Sequence, residues 1–218
     1  MKEEIKNLLN VKGPLAENEV KELLKGFSIK TTNYELVKNL KDLQNLKLKY
    51  PVVLKVCSRE ILHKTDVGGV KLEIKDYDEL EKAFNLFKKK FPKENLLVEE
   101  MVDKGVEIII GLINDPTFGL SIMFGIGGIF TELYKDVVFR VIPIDRYDAV
   151  QMVGDIKGKK LLEGFRGIKT NKKLVIDLLC KVSKIAEELI DKIDQMDLNP
   201  VFIYETNYCV VDAKLILK

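Results

Sequence analysis

Between Leu15 and Lys25 the apolar positions Leu15, Val20, Leu23 and Leu24 fall on one helical stripe, which Gly26 can end. Phe27–Lys30 is a short strand candidate, and Tyr34–Leu48 reads as a second helix. Val52–Cys57 is an apolar strand interrupted by one lysine, with Val70–Ile74 as its return strand. Helical spacing returns over Asp78–Lys90, where Leu80, Ala83, Phe84 and Phe87 share a face. Strands follow at Leu96–Glu99, Val106–Ile113, Leu120–Phe124 and Val137–Ile142, with Asn114-Asp115-Pro116 as a turn. The pattern then predicts a short helix over Arg146–Val153, a Gly- and Lys-rich loop over Gly154–Gly167 and a long amphipathic helix over Asn171–Ile190. Val201–Tyr204 and Cys209–Ile216 read as a closing hairpin. Hairpins replace strict strand–helix–strand alternation, so the fold class is mixed α/β.

Composition narrows the function classes. At 218 residues the chain fits one large domain or two small lobes, and 46% hydrophobic with 32% charged residues reads as soluble and globular. A net charge of +2, from 36 basic and 34 acidic residues, is too balanced for a nucleic-acid footprint. No apolar run approaches membrane-spanning length and the N-terminus has no apolar signal core, so a cytoplasmic location is expected. Cys57, Cys180 and Cys209 each lie in an apolar run and read as core filling, not as a metal or disulfide framework.

The densest candidate chemistry lies in Pro51–Leu72, PVVLKVCSREILHKTDVGGVKL. Lys55 sits mid-strand, and a polar loop then carries His63 and Lys64 and closes on Gly68-Gly69. Glycine lets backbone N–H groups approach an anion closely, and lysine supplies a point charge, so this pattern can hold phosphates. His63, the chain's one histidine, could take a phosphoryl group, since a neutral ring nitrogen is a nucleophile at physiological pH. The bland readings are a solvent-facing strand lysine and a surface histidine.

Four ordered blocks carry a family resemblance: YPVVLKV…ILHKTDVGGVKL, LLVEEMVDKGVEIIIG, FGIGGIFTELYKDVVFRVIPI and MDLNPVFIY…CVVDAKLIL. Together they resemble the ATP-grasp superfamily, most of all the ATP-grasp subunit of ADP-forming acyl-CoA synthetases of the archaeal acetate–CoA ligase type. They are more distantly similar to the succinyl-CoA synthetase β subunit. The resemblance implies an ATP-grasp fold of two lobes, 1–103 and 104–218, with the nucleotide between them.

It also implies roles. Lys55 would hold the nucleotide's α-phosphate and adenine region, with Lys64, Gly68 and Gly69 beside it. The connector after Glu99 would be a hinge whose backbone reads the adenine edge, placing Glu99 or Glu100, with Val102, on the adenine side and Glu107 at the ribose. Asn199 and Asp212 resemble the family's Mg²⁺ ligands, an amide oxygen and a carboxylate suited to a hard cation that shares phosphate oxygens and water. His63 would carry phosphate, Arg140 is either a phosphate contact or a surface ion pair, and Glu132 and Asp136 either orient a histidine or are ordinary loop acids. Gly125, Gly127 and Gly128 permit close approach of a phosphate or form a plain turn.

A CoA site is missing: no GxGxxG leads into a helix. The family places CoA and acyl-phosphate chemistry on an α subunit, so the chain is expected to handle ATP/ADP and Mg²⁺ within a hetero-oligomer. Two alternatives stand: a stand-alone ATP-grasp carboxylate–amine ligase, and a non-catalytic ATP-binding regulatory module.

Overall fold

The computed structural model describes residues 8–128, 131 and 135–218. The chain divides into two units, one of Met1–Leu15, Val20–Thr31 and Lys104–Lys218, the other of Ala16–Glu19 and Thr32–Asp103.

The smaller unit is built on a sheet ordered β2-β5-β3-β4, from Tyr34–Val37, Asn95–Glu100, Val52–Cys57 and Val70–Ile74, all pairs antiparallel. Every residue of β3 is buried, as expected of an inner strand covered on both faces. A short helix, Leu40–Gln44, and the longer Tyr77–Lys90 complete the unit. In Tyr77–Lys90 Leu80, Ala83, Phe84 and Phe87 are buried against Leu54, Val56 and Val98. Asp76 caps that helix by accepting the Glu79 N–H at 2.8 Å.

The larger unit carries a sheet ordered β1-β11-β9-β6-β7-β8, with β10 also on β9. Its strands are Gly13–Pro14, Ala213–Leu217, Ile193–Ile203, Val106–Asp115, Gly119–Ile126, Val137–Val141 and, for β10, Tyr208–Val210. The long helix Lys172–Glu188 buries Val175, Leu178, Leu179, Val182 and Ile185 in a core shared with Ile108, Ile110 and Phe124. Arg146–Asp155 packs beside it, opened by a reciprocal Asp145/Asp148 capping box. No helix among the described residues is long and apolar enough to cross a membrane.

Four expected elements differ. Tyr34–Leu48 is not one helix: Tyr34–Val37 pairs with Leu96–Glu99 as a strand, and a capping box between Asn39 and Asp42 starts a helix only at Leu40. Sheet pairing overrides the helical spacing there. Phe27–Lys30 forms no strand, since Ser28 has a left-handed φ of 56° and the Ile29 N–H folds back to the Leu24 carbonyl at 2.9 Å. The Gly154–Gly167 stretch contains 3-10 turns at Lys157–Glu163 and Phe165–Gly167. The closing hairpin is larger: β9 runs from Ile193 to Ile203, pairing with β11 as far as Leu198 and with β10 from Val201.

Candidate functional site

Lys55 is placed by the register of β3, opposite Leu97 on β5 and Val70 on β4. Glu99, two residues along β5, is its diagonal neighbour across the ladder, close enough for long side chains to meet. The Lys55 ammonium lies 3.1 Å from Glu99 Oε2 and 2.8 Å from Glu17 Oε1. The other Glu17 oxygen holds the Lys64 ammonium, and Thr32 donates its hydroxyl to Glu99 Oε2 at 3.2 Å. Glu17, Lys55, Lys64 and Glu99 are each less than 7% exposed. Charges this far from water persist only where opposite charges and hydrogen bonds replace hydration.

The loop after β3 brings His63 to the surface, while Lys64 turns inward. The Gly69 N–H donates to the Lys64 carbonyl at 2.6 Å, the Gly68 N–H to the Thr65 carbonyl at 2.9 Å, and the Gly69 carbonyl accepts the Val56 N–H at 2.8 Å. Gly68 takes a left-handed φ of 60°, and a Cβ on Gly69 would meet the Lys64 carbonyl at 3.0 Å. Both glycines are therefore needed to close the loop on β3.

Glu100 points elsewhere from Glu99, as alternation requires. It accepts the Lys49 N–H at 3.0 Å and the Asn33 amide at 2.7 Å, which together hold its carboxyl below the ordinary range. Val102 is half-buried in the connector that follows, where the Met101 N–H donates to the Pro51 carbonyl at 3.0 Å.

In the larger unit Glu107, second residue of β6, lines a cavity of about 770 Å³ with Lys104, Gly105, Gly127, Gly128, Lys169, Tyr204 and Thr206 around it. Val106, Ile126, Leu161 and Ile168 supply apolar wall. The Gly127 N–H donates to the Glu107 carbonyl at 2.8 Å, and a Cβ on Gly127 would stand 2.6 Å from Glu107 Cγ. With Glu205 as a further wall, four charged side chains face an apolar floor, which suits a polar organic ligand.

Asn199 and Asp212 meet where β9 changes partner. The Asn199 N–H donates to the Asp212 carbonyl at 3.2 Å and the Val211 N–H to the Pro200 carbonyl at 3.0 Å. Asn199 is exposed, and one Asp212 carboxylate oxygen accepts the Ala213 N–H at 2.8 Å. Among the described residues no three His, Cys, Asp or Glu side chains gather as a metal cage. One amide and one carboxylate on backbone-paired residues are the kind of donors Mg²⁺ accepts, since it takes few protein ligands when phosphate oxygens and water complete its shell.

Arg140 lies opposite Ile122 on β8 and pairs with Asp155 at 2.5 Å, a surface ion pair within its own neighbourhood and not among the cavity residues. Asp136 is buried and accepts the Lys157 and Gly158 N–H groups at 2.8 and 2.7 Å, anchoring the first 3-10 turn. Glu132 lies outside the described residues.

Sequence reasoning misses Glu17 and Thr32. An acid in the first turn of a helix is common for reasons of dipole alone, so nothing in ENEVK marks Glu17 as a partner of Lys55. It also misses Tyr204 and Lys169, which reach the cavity from segments remote in sequence.

Two sheets of antiparallel strands, a lysine on a buried inner strand and a glycine-lined cavity beside an acid define an ATP-grasp domain, and a family model of that domain matches residues 8–217. The chain belongs to the ATP-grasp family. It is 40% identical over 214 residues to the acetate–CoA ligase (ADP-forming) I subunit beta of Pyrococcus furiosus, covering 94% of this chain and 92% of that one. It is 41% identical over 210 residues to the acetate–CoA ligase (ADP-forming) II of Archaeoglobus fulgidus, of which it spans only 30%. Among solved structures it is similar to the dinucleotide-forming acetyl-coenzyme A synthetase 1 of Ca. Korarchaeum cryptofilum. The TM-score is 0.81 at 40% identity, over 94% of this chain and 93% of that one. That protein is described in complex with coenzyme A and Mg-AMPPCP, its phosphohistidine segment pointing towards the nucleotide-binding site.

Proposed function

We propose that this chain is the nucleotide-handling subunit of an ADP-forming acyl-CoA ligase, interconverting ATP, an organic acid and CoA with ADP, phosphate and the acyl-CoA. The observation that carries this reading is the pair of buried lysines behind the His63 loop, in a chain 40% identical to a ligase β subunit over nearly its whole length. The alternatives of a stand-alone ligase or a regulatory module draw no such support from the relatives named above.

In the proposed reaction an imidazole nitrogen of His63 attacks the γ-phosphorus of ATP. The bond from that phosphorus to the β,γ-bridging oxygen breaks, ADP leaves, and the ring's second nitrogen gives its proton to solvent. Lys55 would meet the nucleotide's α-phosphate, as the resemblance implies, while Lys64 stays on Glu17 beneath the loop. Asn199 and Asp212 would hold Mg²⁺, which when bound neutralises phosphate charge. The acid and CoA sites belong, in this reading, to an α partner that receives the phosphoryl group.

Calorimetry with ATP and Mg²⁺ tests the first part. Binding should be measurable and weakened at least about tenfold, or 1.4 kcal/mol, in Lys55→Ala. γ-Labelled ATP should leave an acid-labile, base-stable label on the parent chain that His63→Ala lacks. Acyl-CoA formation should require a co-purifying CoA-binding chain, and full turnover by His63→Ala would remove the histidine from the mechanism.

A further inference from the structure

Within the run His63–Gly68 every residue is exposed except Lys64. That single inward side chain ends on Glu17, whose other oxygen holds Lys55 at 2.8 Å. We propose that Glu17 is the positioning residue of the His63 loop: one buried carboxylate that pins the loop, through Lys64, to the strand lysine Lys55. The proposal deepens the function proposed above, since it assigns a holder to the loop in which His63 would act.

Three features support it. The bridge is bidentate, one oxygen to each ammonium, so the distance between loop and strand lysines is set by the width of one carboxylate. Lys64 is also the residue whose carbonyl accepts the Gly69 N–H at 2.6 Å. The backbone hinge and the side-chain anchor therefore coincide one residue from His63. Lastly, Glu17 opens a helix, Glu17–Gly26, whose N-terminus favours a carboxylate in its first turn. The adjoining Glu19 fixes that turn by accepting the Ala16 N–H at 2.8 Å and the Arg59 Nε–H at 2.9 Å. The anchor is thus itself held, by groups on the same loop-bearing unit.

Hydrogen exchange on the purified full chain, without nucleotide, tests the tether directly. Glu17→Gln keeps volume and one acceptor but not the charge. Amides of residues 62–68 should exchange at least tenfold faster, while those of β3 and β5 change less than threefold. Lys64→Met removes the loop side of the tether and leaves Glu17 paired with Lys55, so it serves if Glu17→Gln fails to fold. It should loosen the same amides, and the double variant should loosen them no further than either single change. Unchanged loop exchange in Lys64→Met, or loosening spread evenly over β3 and β5, would overturn the proposal. In the labelling assay Glu17→Gln should slow His63 phosphorylation at least tenfold, and Glu17→Asp, which restores the carboxylate, should recover part of that rate. If the parent never labels, the function proposed above fails, while the exchange measurement still decides the tether.

Discussion

At Glu100 the carboxylate is held by the Lys49 N–H and the Asn33 amide, which lower its pKa from the ordinary 4.5. A folded-state value below the unfolded one adds stability that is present above about pH 4.5 and lost as pH falls through the folded value. Glu100→Gln should therefore lower the melting temperature at pH 7, with the gap to the parent closing as pH falls from 4.5 through the depressed folded-state value. The effect should stay below about 1 kcal/mol, because the group is partly exposed. Cys57 offers a sharper test. Burial pushes its thiol up to about 11, leaving roughly one thiolate in a thousand at pH 8. Cys180, half-buried on the helix Lys172–Glu188, should react with a thiol reagent first in the native protein, as peptide mapping after brief labelling would show. Lys55 is legible in the sequence because a charge inside VVLKVC demands an anionic partner. The identity of one such partner, Glu17, is not, since the contact spans 38 residues and an acid opening a helix needs no such explanation.

The elements that are legible are those whose burial is decided along the chain. The all-buried β3 and the helix Tyr77–Lys90 follow from apolar run and period alone, whereas the Asp76 cap shows only in the structure. Asp76→Ala should cost about 1 kcal/mol in denaturant unfolding, through loss of the Glu79 N–H bond. Tyr34–Val37 reads wrongly as helix because its strand character comes from β5, far along the chain at Leu96–Glu99. Glycines of the GIGG segment divide in the same way. Gly127 is fixed by contact, since a methyl group there would stand 2.6 Å from Glu107 Cγ. Gly127→Ala should displace the Glu107 side chain at a cost of about 1–3 kcal/mol. A parallel loss of nucleotide affinity by calorimetry would tie Glu107 to the cavity's ligand.

For the whole molecule, the division into two units cannot be read in full from the chain. The helix Glu17–Gly26 has its first turn, with Glu17, in the smaller unit, while Val20 onward groups with the larger one. Nothing in the stripe of Val20, Leu23 and Leu24 foretells that split. The sheet of the larger unit is also non-local: β9 lies between β6 and β11, and Ile108 and Ile110 of β6 face Val201 and Leu198. A chain cut before β9 should lose amide protection along β6, measurable by hydrogen exchange on the fragment. The same strand order has a consequence for synthesis. On the ribosome, the smaller unit has all its strands once residue 100 has emerged. The hairpin of β6 and β7 must wait, one edge open, until residues 193–217 arrive to cover it. During that interval the nascent chain offers an unpaired β-branched edge to its surroundings, and its last strands end the exposure.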